Sequence, residues 1–175
     1  MVLKPKKEIW ISDLTHTQQG NSSWTFPLGA SFVYSYAKNK FANDFNFKLF
    51  KFPDDLSKAL SKRSPAMLCF SNYSWNFELG YKFASLSKQR DPKLITVFGG
   101  PNFPTEISEK LEFLKKRPAI DFNIELEGEL AFENLLNNLI DNNFSSFSLK
   151  KNNKRILNTC YLNENEIISG PMDRI

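Results

Sequence analysis

The chain has 175 residues, a net charge of +4 and 41% hydrophobic residues. This length suits a single domain with a short appendage, and the lack of an apolar run of about 18 residues excludes a membrane-spanning helix. The basic residues are mostly Lys spread along the chain rather than gathered in a stripe, which argues against nucleic-acid binding. We expect a cytoplasmic protein, because the basic start lacks the long apolar stretch and cleavage site of a signal peptide.

Short apolar runs alternate with longer amphipathic stretches up to residue 141. The apolar runs predict strands at 8–12, 45–52, 66–71, 94–98 and 120–124. The amphipathic stretches predict helices at 27–40, 53–60, 75–90, 104–116 and 127–140. Strands linked by helices run parallel, because each crossover helix returns the chain to the starting edge. The pattern therefore predicts an α/β fold with a doubly wound, five-stranded parallel sheet flanked by helices. Flavodoxin-like and Rossmann-like strand orders are both compatible with it, and we expect the flavodoxin-like order.

The last part of the chain follows a different pattern. Two β-prone runs, 155–162 and 166–168, flank Asn163-Glu164-Asn165, which predicts a β-hairpin. We expect residues 1–141 to form one domain and residues 142–175 to form a tail with this hairpin. The two cysteines, Cys69 and Cys160, are too few and too distant to hold zinc or an iron–sulfur cluster.

The loops that follow the predicted strands are the candidate ligand site, because such sheets bind ligands at the carboxyl ends of their strands. Four of these loops carry the candidate residues, which are Thr15, His16, Ser71, Asn72, Tyr73, Ser74, Trp75, Gly99, Gly100, Pro101, Glu127, Gly128 and Glu129. The polar and aromatic third-strand loop suits a flat polar ligand, and paired glycines let a ligand approach the backbone.

Each of these loops also has a simpler interpretation. The only histidine, His16, is compatible with a solvated loop position, and Ser74 or Asn72 with a helix cap. The acidic turn 127–129 suits a helix dipole without any ligand. Several standard sites are excluded, because the chain lacks a dinucleotide-binding Gly-x-Gly-x-x-Gly, a phosphate-binding loop and a supported catalytic triad.

Four segments taken in order resemble a known family. They are Pro27-Leu28-Gly29 at a helix start, FSNYSWN at 70–76, VFGGPNFP at 97–104 and ELEGELAFENLL at 125–136. Over roughly residues 8–141 the chain resembles the cobalamin-binding N-terminal domain of the cobalamin-dependent radical SAM family. The resemblance implies that cobalamin is the cofactor. It also implies that Gly99 and Gly100 pack against the nucleotide tail, that Ser71 and Tyr73 flank it, and that the turn 127–129 lies beside the corrin.

The loop after the first strand departs from the related cobalamin domains that bind cobalt through histidine. Those domains carry Asp-x-His-x-x-Gly, whereas this chain has Asp13-x-x-His16-x-x-x-Gly20. His16 is therefore the one candidate metal ligand, a cobalt ligand, and the altered spacing argues against that role.

The chain also lacks the three-cysteine loop of radical SAM chemistry, so we expect that it is not catalytic alone. Residues 167–175 resemble the link into a radical SAM barrel. The resemblance implies a domain that positions a corrinoid for a radical SAM methyltransferase or a related enzyme, with the catalytic domain as its partner in cis or in trans. S-adenosylmethionine and a [4Fe-4S] cluster would take part only if such a domain follows. Two alternatives remain, which are a degenerate flavodoxin-like module that docks a partner without cofactor, and a binder of another nucleotide or flavin. We expect neither nucleic-acid nor membrane partners.

Overall fold

The computed structural model describes residues 5–16 and 26–174. The strands in these ranges are β1 (Lys7–Ser12), β2 (Phe45–Phe50), β3 (Met67–Ser71), β4 (Ile95–Gly99), β5 (Phe122–Ile124), β6 (Thr159–Asn163) and β7 (Glu166–Ser169). The helices are α1 (Leu28–Phe41), α2 (Pro53–Lys62), α3 (Phe77–Arg90), α4 (Ile107–Lys115), α5 (Gly128–Asp141) and α6 (Ser146–Lys151).

The strands form one sheet in the order β2-β1-β3-β4-β5-β6-β7. Neighbouring strands from β2 to β5 are parallel, whereas β6 pairs antiparallel with β5 and β7 antiparallel with β6. The predicted α/β fold is therefore confirmed as a mostly parallel sheet flanked by helices. Within the described ranges, the sheet has seven strands rather than the predicted five, because the antiparallel β6 and β7 join the same sheet. The strand order reverses direction between β1 and β3, so this is the switch point at which such sheets open a crevice.

The sheet is buried on both faces because its strand residues alternate between two apolar clusters. One cluster joins the sheet to α1, α5 and α6 and includes Ile9, Ile11, Met67, Cys69, Ile95, Val97, Leu135 and Leu149. The other joins it to α2, α3 and α4 and includes Trp10, Leu56, Leu68, Phe70, Phe77, Phe98 and Leu114. Within residues 5–16 and 26–174, no helix has the length and apolar character needed to cross a bilayer.

The predicted tail, residues 142–175, contributes β6 and β7 to the same sheet. Cys160 of β6 is the register partner of Asn123 of β5, and Leu149, Ile156 and Tyr161 are almost fully buried. Helix α6 was not predicted, because six residues are too few to show a helical period. Its N-cap is Ser145, whose side chain accepts a hydrogen bond from the backbone N–H of Ser148. The predicted domain boundary at residue 141 stays a prediction.

Candidate functional site

A cavity of about 470 Å³ lies at the carboxyl ends of the central parallel strands, beside the first turns of α1 and α5. Its wall is mainly apolar and includes Ile11, Ala30, Val33, Cys69, Val97, Ile124, Leu126 and Phe132. Most of the predicted site residues also line it, namely Ser71, Tyr73, Gly99, Gly100, Pro101, Glu127, Gly128 and Glu129. The cavity therefore brings together three of the four loops that the sequence singled out.

The other predicted residues lie outside the lining. Thr15 donates its backbone N–H to the carbonyl oxygen of Lys51. The Nε2 atom of His16 lies 2.5 Å from the carbonyl oxygen of Trp75, so the imidazole holds the first-strand loop against the third-strand loop. Ser74 and Trp75 are exposed. Among the described residues, no group of three or more His, Cys, Asp or Glu side chains could hold a metal ion.

Asn72 lies buried beneath the turn that follows β4. Its backbone N–H donates to the carbonyl oxygen of Gly99 at 2.7 Å, and its carbonyl oxygen accepts from the backbone N–H of Asn102 at 3.1 Å. Gly100 has φ +137, and a Cβ atom there would lie 2.6 Å from the Asn72 carbonyl oxygen. Glycine at position 100 is therefore required by the close packing of two loops. Position 99 differs, because a Cβ there would meet Ile124 at an ordinary 3.5 Å.

A polar network joins the ends of β1 and β3. One carboxylate oxygen of Asp13, Oδ1, accepts hydrogen bonds from Ser71 Oγ at 2.6 Å and from Asn76 Nδ2 at 2.9 Å. The amide oxygen of Asn76 in turn accepts from the backbone N–H of Tyr73 at 3.0 Å. The network fixes the loop that carries Ser71 and Tyr73 into the cavity wall. The sequence analysis treated Ser71 and Tyr73 as ligand contacts and assigned no role in the site to Asp13 or Asn76.

Two aromatic rings stand at this edge of the sheet. Tyr73 and Trp75 stack with ring centroids 4.5 Å apart and an interplanar angle of 8°. Trp75 is 61% exposed, so much of its indole is free to meet a ligand or a neighbouring domain. Gly29 lies on the other side of the cavity, where a Cβ would come within 3.7 Å of the Tyr73 hydroxyl oxygen.

The acidic turn before α5 forms another part of the wall. Glu127 occupies the N-cap position, yet its side chain makes no capping hydrogen bond within the described chain. A Cβ at Gly128 would come within 2.7 Å of Val33 Cγ2, so glycine here permits the close approach of α1 and α5. Leu126 has φ 58, a left-handed conformation that is unusual for leucine.

Sequence reasoning missed the α1 and strand contributions to the cavity. Gly29, Ala30 and Val33 line it from α1, and the Pro27-Leu28-Gly29 motif was the available signal for that helix start. Ile11 pairs in register with Cys69, and Cys69 with Val97, so one face of three adjacent strands forms the floor. Burial raises the pKa of the Cys69 thiol well above its usual range, which keeps this sulfur protonated and unreactive.

Comparison with known proteins identifies relatives of the chain. It is 34% identical over 114 residues to the cobalamin-dependent radical SAM methyltransferase TokK of Streptomyces tokunonensis, a match that covers 63% of this chain and 16% of TokK. It is 32% identical, with the same coverage, to the 2-(S-pantetheinyl)-carbapenam-3-carboxylate methyltransferase of Streptantibioticus cattleyicolor. The chain thus spans 16% of the length of these curated relatives. No family model matches it.

Solved structures share the fold. The cobalamin-dependent S-adenosylmethionine radical enzyme OxsB, with aqua-cobalamin and S-adenosylmethionine bound, superposes with a TM-score of 0.66 at 14% identity over 97% of this chain and 23% of OxsB. The apo form of OxsB gives a TM-score of 0.62 at 16% identity and the same coverage. The resemblance predicted from the four ordered segments is therefore confirmed: the chain is related in sequence to cobalamin-dependent radical SAM enzymes, over a segment much shorter than their full length.

Proposed function

We propose that this chain binds cobalamin in the cavity at the carboxyl edge of its sheet. The observation that carries the proposal is the convergence of residues from three ordered loops on one mainly apolar cavity. Its volume, about 470 Å³, lies in the range of small-molecule sites and would take the nucleotide tail, while the much larger corrin would lie over the carboxyl edge of the sheet. The relative TokK is cobalamin-dependent by name, which supports the same ligand here, and OxsB, whose fold the chain shares, was solved with aqua-cobalamin bound.

The residues present fit the two chemical parts of this cofactor. The apolar floor formed by Ile11, Cys69 and Val97 suits the aromatic base of the nucleotide tail. Gly99 and Gly100 expose backbone at the rim, where side chains would otherwise obstruct the tail. Ser71 and Tyr73 would flank the tail, and Pro101 would lie at its side.

The remaining predicted residues would serve the corrin. The turn 127–129 would meet its periphery, and the exposed indole of Trp75 offers a flat surface to a macrocycle. Asn72 would act from below by holding the Gly99-Gly100 turn in place. Thr15, His16 and Ser74 would contribute loop contacts, and the proposal does not require His16 to ligate cobalt. The bound cofactor would supply the cobalt chemistry, and these residues would bind it, orient it and exclude water.

The role within a larger enzyme is also a proposal. We infer that the chain positions a corrinoid for a radical SAM methyltransferase or a related enzyme in the cytoplasm. A catalytic domain in cis or in trans would bring S-adenosylmethionine and a [4Fe-4S] cluster, because this sequence has no three-cysteine loop. The chain spans only 16% of the length of these relatives, which is consistent with a catalytic domain separate from the corrinoid-binding one.

Titration with hydroxocobalamin tests the proposal. The protein should retain the red corrinoid after desalting, show a shifted absorption band, and unfold at a higher temperature with ligand, since ligand at 100 times Kd adds about 2.7 kcal/mol. Gly99→Leu should abolish binding, because its side chain would compete with the ligand at the rim, whereas Gly99→Ala should retain it. A colourless wild-type protein with no measurable affinity would refute cobalamin binding.

A docking module without cofactor is the second candidate. Leu28 and Phe32 lie one helical turn apart on α1 and are 57% and 55% exposed, and exposed apolar surface of this kind marks interaction sites. Binding of cobalamin in the titration would refute this alternative as the sole function. The third hypothesis is that the chain binds a flavin or another nucleotide. A parallel titration with a flavin nucleotide tests it, since tight flavin binding without corrinoid binding would favour it.

A further inference from the structure

The edge strand β2 has no strand on its outer side in the described part of the chain. It stands first in the order β2-β1-β3-β4-β5-β6-β7 and pairs with β1 alone. An edge of this kind presents backbone N–H and C=O groups with which another extended chain can pair. Because β2 has six residues and β7, at the opposite edge, has four, β2 offers the longer template for such pairing.

A basic cleft lies beside this edge, between β2 and α2. It has a volume of about 480 Å³ and is lined by residues of β2, of α2 and of the α2 C-cap, namely Lys48, Asp55, Lys58, Ala59, Lys62 and Arg63. Four of these side chains carry a positive charge and one carries a negative charge. None of them lines the cavity proposed for cobalamin, so the cleft is a separate feature of the molecule.

The cations of the cleft are only partly neutralised by neighbouring carboxylates. Glu8 contacts Arg63 Nη2 at 2.8 Å and Lys48 Nζ at 3.8 Å, so one carboxylate holds two cations at the edge of the sheet. Lys58 and Lys62 form no ion pair within the ranges that the structure describes. The cleft therefore keeps an excess of positive charge, which attracts acidic groups.

The two faces of β2 differ, and this difference defines a complementary segment. Lys48 Nζ lies 5.4 Å from the ring centroid of its register partner Trp10, which packs in the apolar cluster covered by α2. Phe47 and Leu49 lie on the other face, partly buried against the cluster covered by α1. Side chains of an added strand lie beside those of its neighbour on each face. A complementary segment therefore alternates acidic residues, which face the cleft, with apolar residues, which face Phe47 and Leu49.

We propose that β2 and the basic cleft form a docking site for an extended segment of a partner protein, which alternates acidic and apolar residues and adds to the sheet as a further strand. Backbone hydrogen bonds to β2 would supply affinity, and the alternating side chains would supply specificity. A second copy of this edge fits poorly, because it would bring a second set of the same cations to the cleft. A small anion would meet the cations but would leave the backbone groups of β2 unpaired.

A synthetic peptide of alternating glutamate and valine, as long as β2, tests the docking site. We expect a labelled form to bind, as followed by fluorescence anisotropy, and to slow the amide hydrogen exchange of β2. Its affinity should fall about 10-fold or more on moving from low salt to about 0.5 M salt, because exposed charges are then screened. A lysine–valine peptide should not bind, since its charge is reversed. A glutamate–proline peptide should not bind either, since proline lacks the backbone N–H that strand pairing requires.

Charge reversal on α2 tests the protein side of the interface. Lys58→Glu combined with Lys62→Glu should weaken binding of the glutamate–valine peptide about 10-fold or more, because like charges then face each other. The matched control combines Lys82→Glu with Lys115→Glu, which reverses two exposed lysines on α3 and α4. In both pairs one lysine lies in the last turn of its helix, so the changes in net charge and in helix-end charge are the same. The control should keep the affinity of the wild type, and neither variant should alter hydroxocobalamin binding.

The outcomes separate strand addition from its alternatives. Loss of peptide binding in the α2 variant alone, with slowed exchange of β2 in the wild type, would support the docking site. No binding of the glutamate–valine peptide to the wild type, or equal affinity of all three proteins, would overturn it. Equal binding of the glutamate–proline peptide would overturn strand addition, because charge attraction alone would then explain the result. Binding of inorganic pyrophosphate without peptide binding would indicate a small-anion site instead, and self-association that excludes the peptide would indicate pairing of two copies.

Discussion

Gly100 is the residue at which the loops after β3 and β4 come closest. A methyl group there would lie 2.6 Å from the Asn72 carbonyl oxygen, and its φ of +137 strains any other residue. We expect Gly100→Ala to lower the free energy of unfolding by at least about 2 kcal/mol, measured by urea denaturation. Gly99→Ala is the control and should change it by less than about 1 kcal/mol. Equal stability of both variants would show that the loop around Asn72 moves to accommodate the added methyl group at little cost in free energy.

His16 provides a second test at the scale of one residue. Its Nε2 atom is engaged with the Trp75 carbonyl oxygen at 2.5 Å, so the ring serves as a link between two loops. We expect His16→Ala to leave the absorption spectrum of bound cobalamin unchanged, because His16 lies outside the lining of the cavity in which we propose that the cofactor binds. A spectral change on substitution would instead assign His16 as the cobalt ligand.

Residue chemistry explains which parts of the candidate site the sequence could predict. Gly99, Gly100 and Glu127 stand at the end of a strand or within three residues after one, so the strand pattern alone places them at the ligand edge. Val33 and Ala30 could not be found this way, because the face that α1 turns to the cavity depends on its packing against Gly128. The absence of a capping hydrogen bond from the Glu127 side chain was equally unpredictable from the sequence, since an acidic N-cap usually bonds to its own helix.

At the scale of elements, the Asn76 side chain holds the third-strand loop to β1. It donates to Asp13 and to Ser71 and accepts from the backbone N–H of Tyr73. We expect Asn76→Ala to lower the free energy of unfolding by about 2–4 kcal/mol, because it leaves buried groups unsatisfied. Ser74→Ala in the same loop is the control and should cost less than about 0.5 kcal/mol. Chemical denaturation measures both, and a neutral Asn76→Ala would contradict a structural role for the network.

Lys150 of α6 forms an ion pair with Asp121, the residue before β5, in a buried environment that disfavours the charge of the lysine. Burial lowers the pKa of Lys150 from its ordinary value of 10.5, although the carboxylate of Asp121 acts in the opposite direction. Lys150 Nζ lies 3.6 Å from that carboxylate, which Lys88 also contacts at 2.6 Å. The unfolded chain therefore binds more protons than the folded chain at pH values just below 10.5, so this lysine makes stability rise with pH in that window.

Lys150→Met should remove that contribution. We expect the stability difference between wild type and variant to shift in favour of the wild type as pH rises toward 10.5. The difference in stability between wild type and variant is the quantity to compare, because other groups also titrate at high pH. One of them is Tyr161, whose pKa is raised by burial to about 12. Lys151→Met, at an exposed neighbouring position, should show no such trend. Thermal unfolding at several pH values measures the effect, and parallel curves for all three proteins would contradict it.

The elements themselves were predictable to different degrees. The buried strands β3 and β4 and the long helices α1, α3 and α5 follow from continuous apolar runs and helical periods, because those patterns are strong. The loop between β3 and α3 was harder to predict. The helix was predicted to begin at residue 75, whereas α3 begins at Phe77 and leaves Trp75 outside the helix. Strand β5 was predicted at 120–124 and has three residues, Phe122–Ile124, whereas α6 has six residues, which are too few to show a helical period.

At the scale of the whole molecule, the tail and the parallel sheet share one interior. Tyr161 of β6 contacts Phe122 of β5 with ring centroids 5.4 Å apart, and the Tyr161 hydroxyl donates to the Lys154 carbonyl oxygen. The antiparallel pair β6–β7 extends the sheet beyond β5, so it covers an edge that would otherwise present unpaired backbone groups. The sequence pattern marked this region as distinct, but a pattern of local hairpin signals carries no information about which strand the hairpin joins.

A truncation after residue 141 tests whether the first part of the chain folds by itself. It removes Leu149, Ile156, Cys160 and Tyr161, each at most 1% exposed. A fully buried large apolar side chain contributes about 1.5–3 kcal/mol, so this loss rivals the total stability of about 5–15 kcal/mol of an ordinary domain. We expect residues 1–141 to lose cooperative thermal unfolding as followed by circular dichroism, and to lose corrinoid binding with it. A truncated chain that unfolds cooperatively near the transition of the full chain would instead support a domain boundary at residue 141.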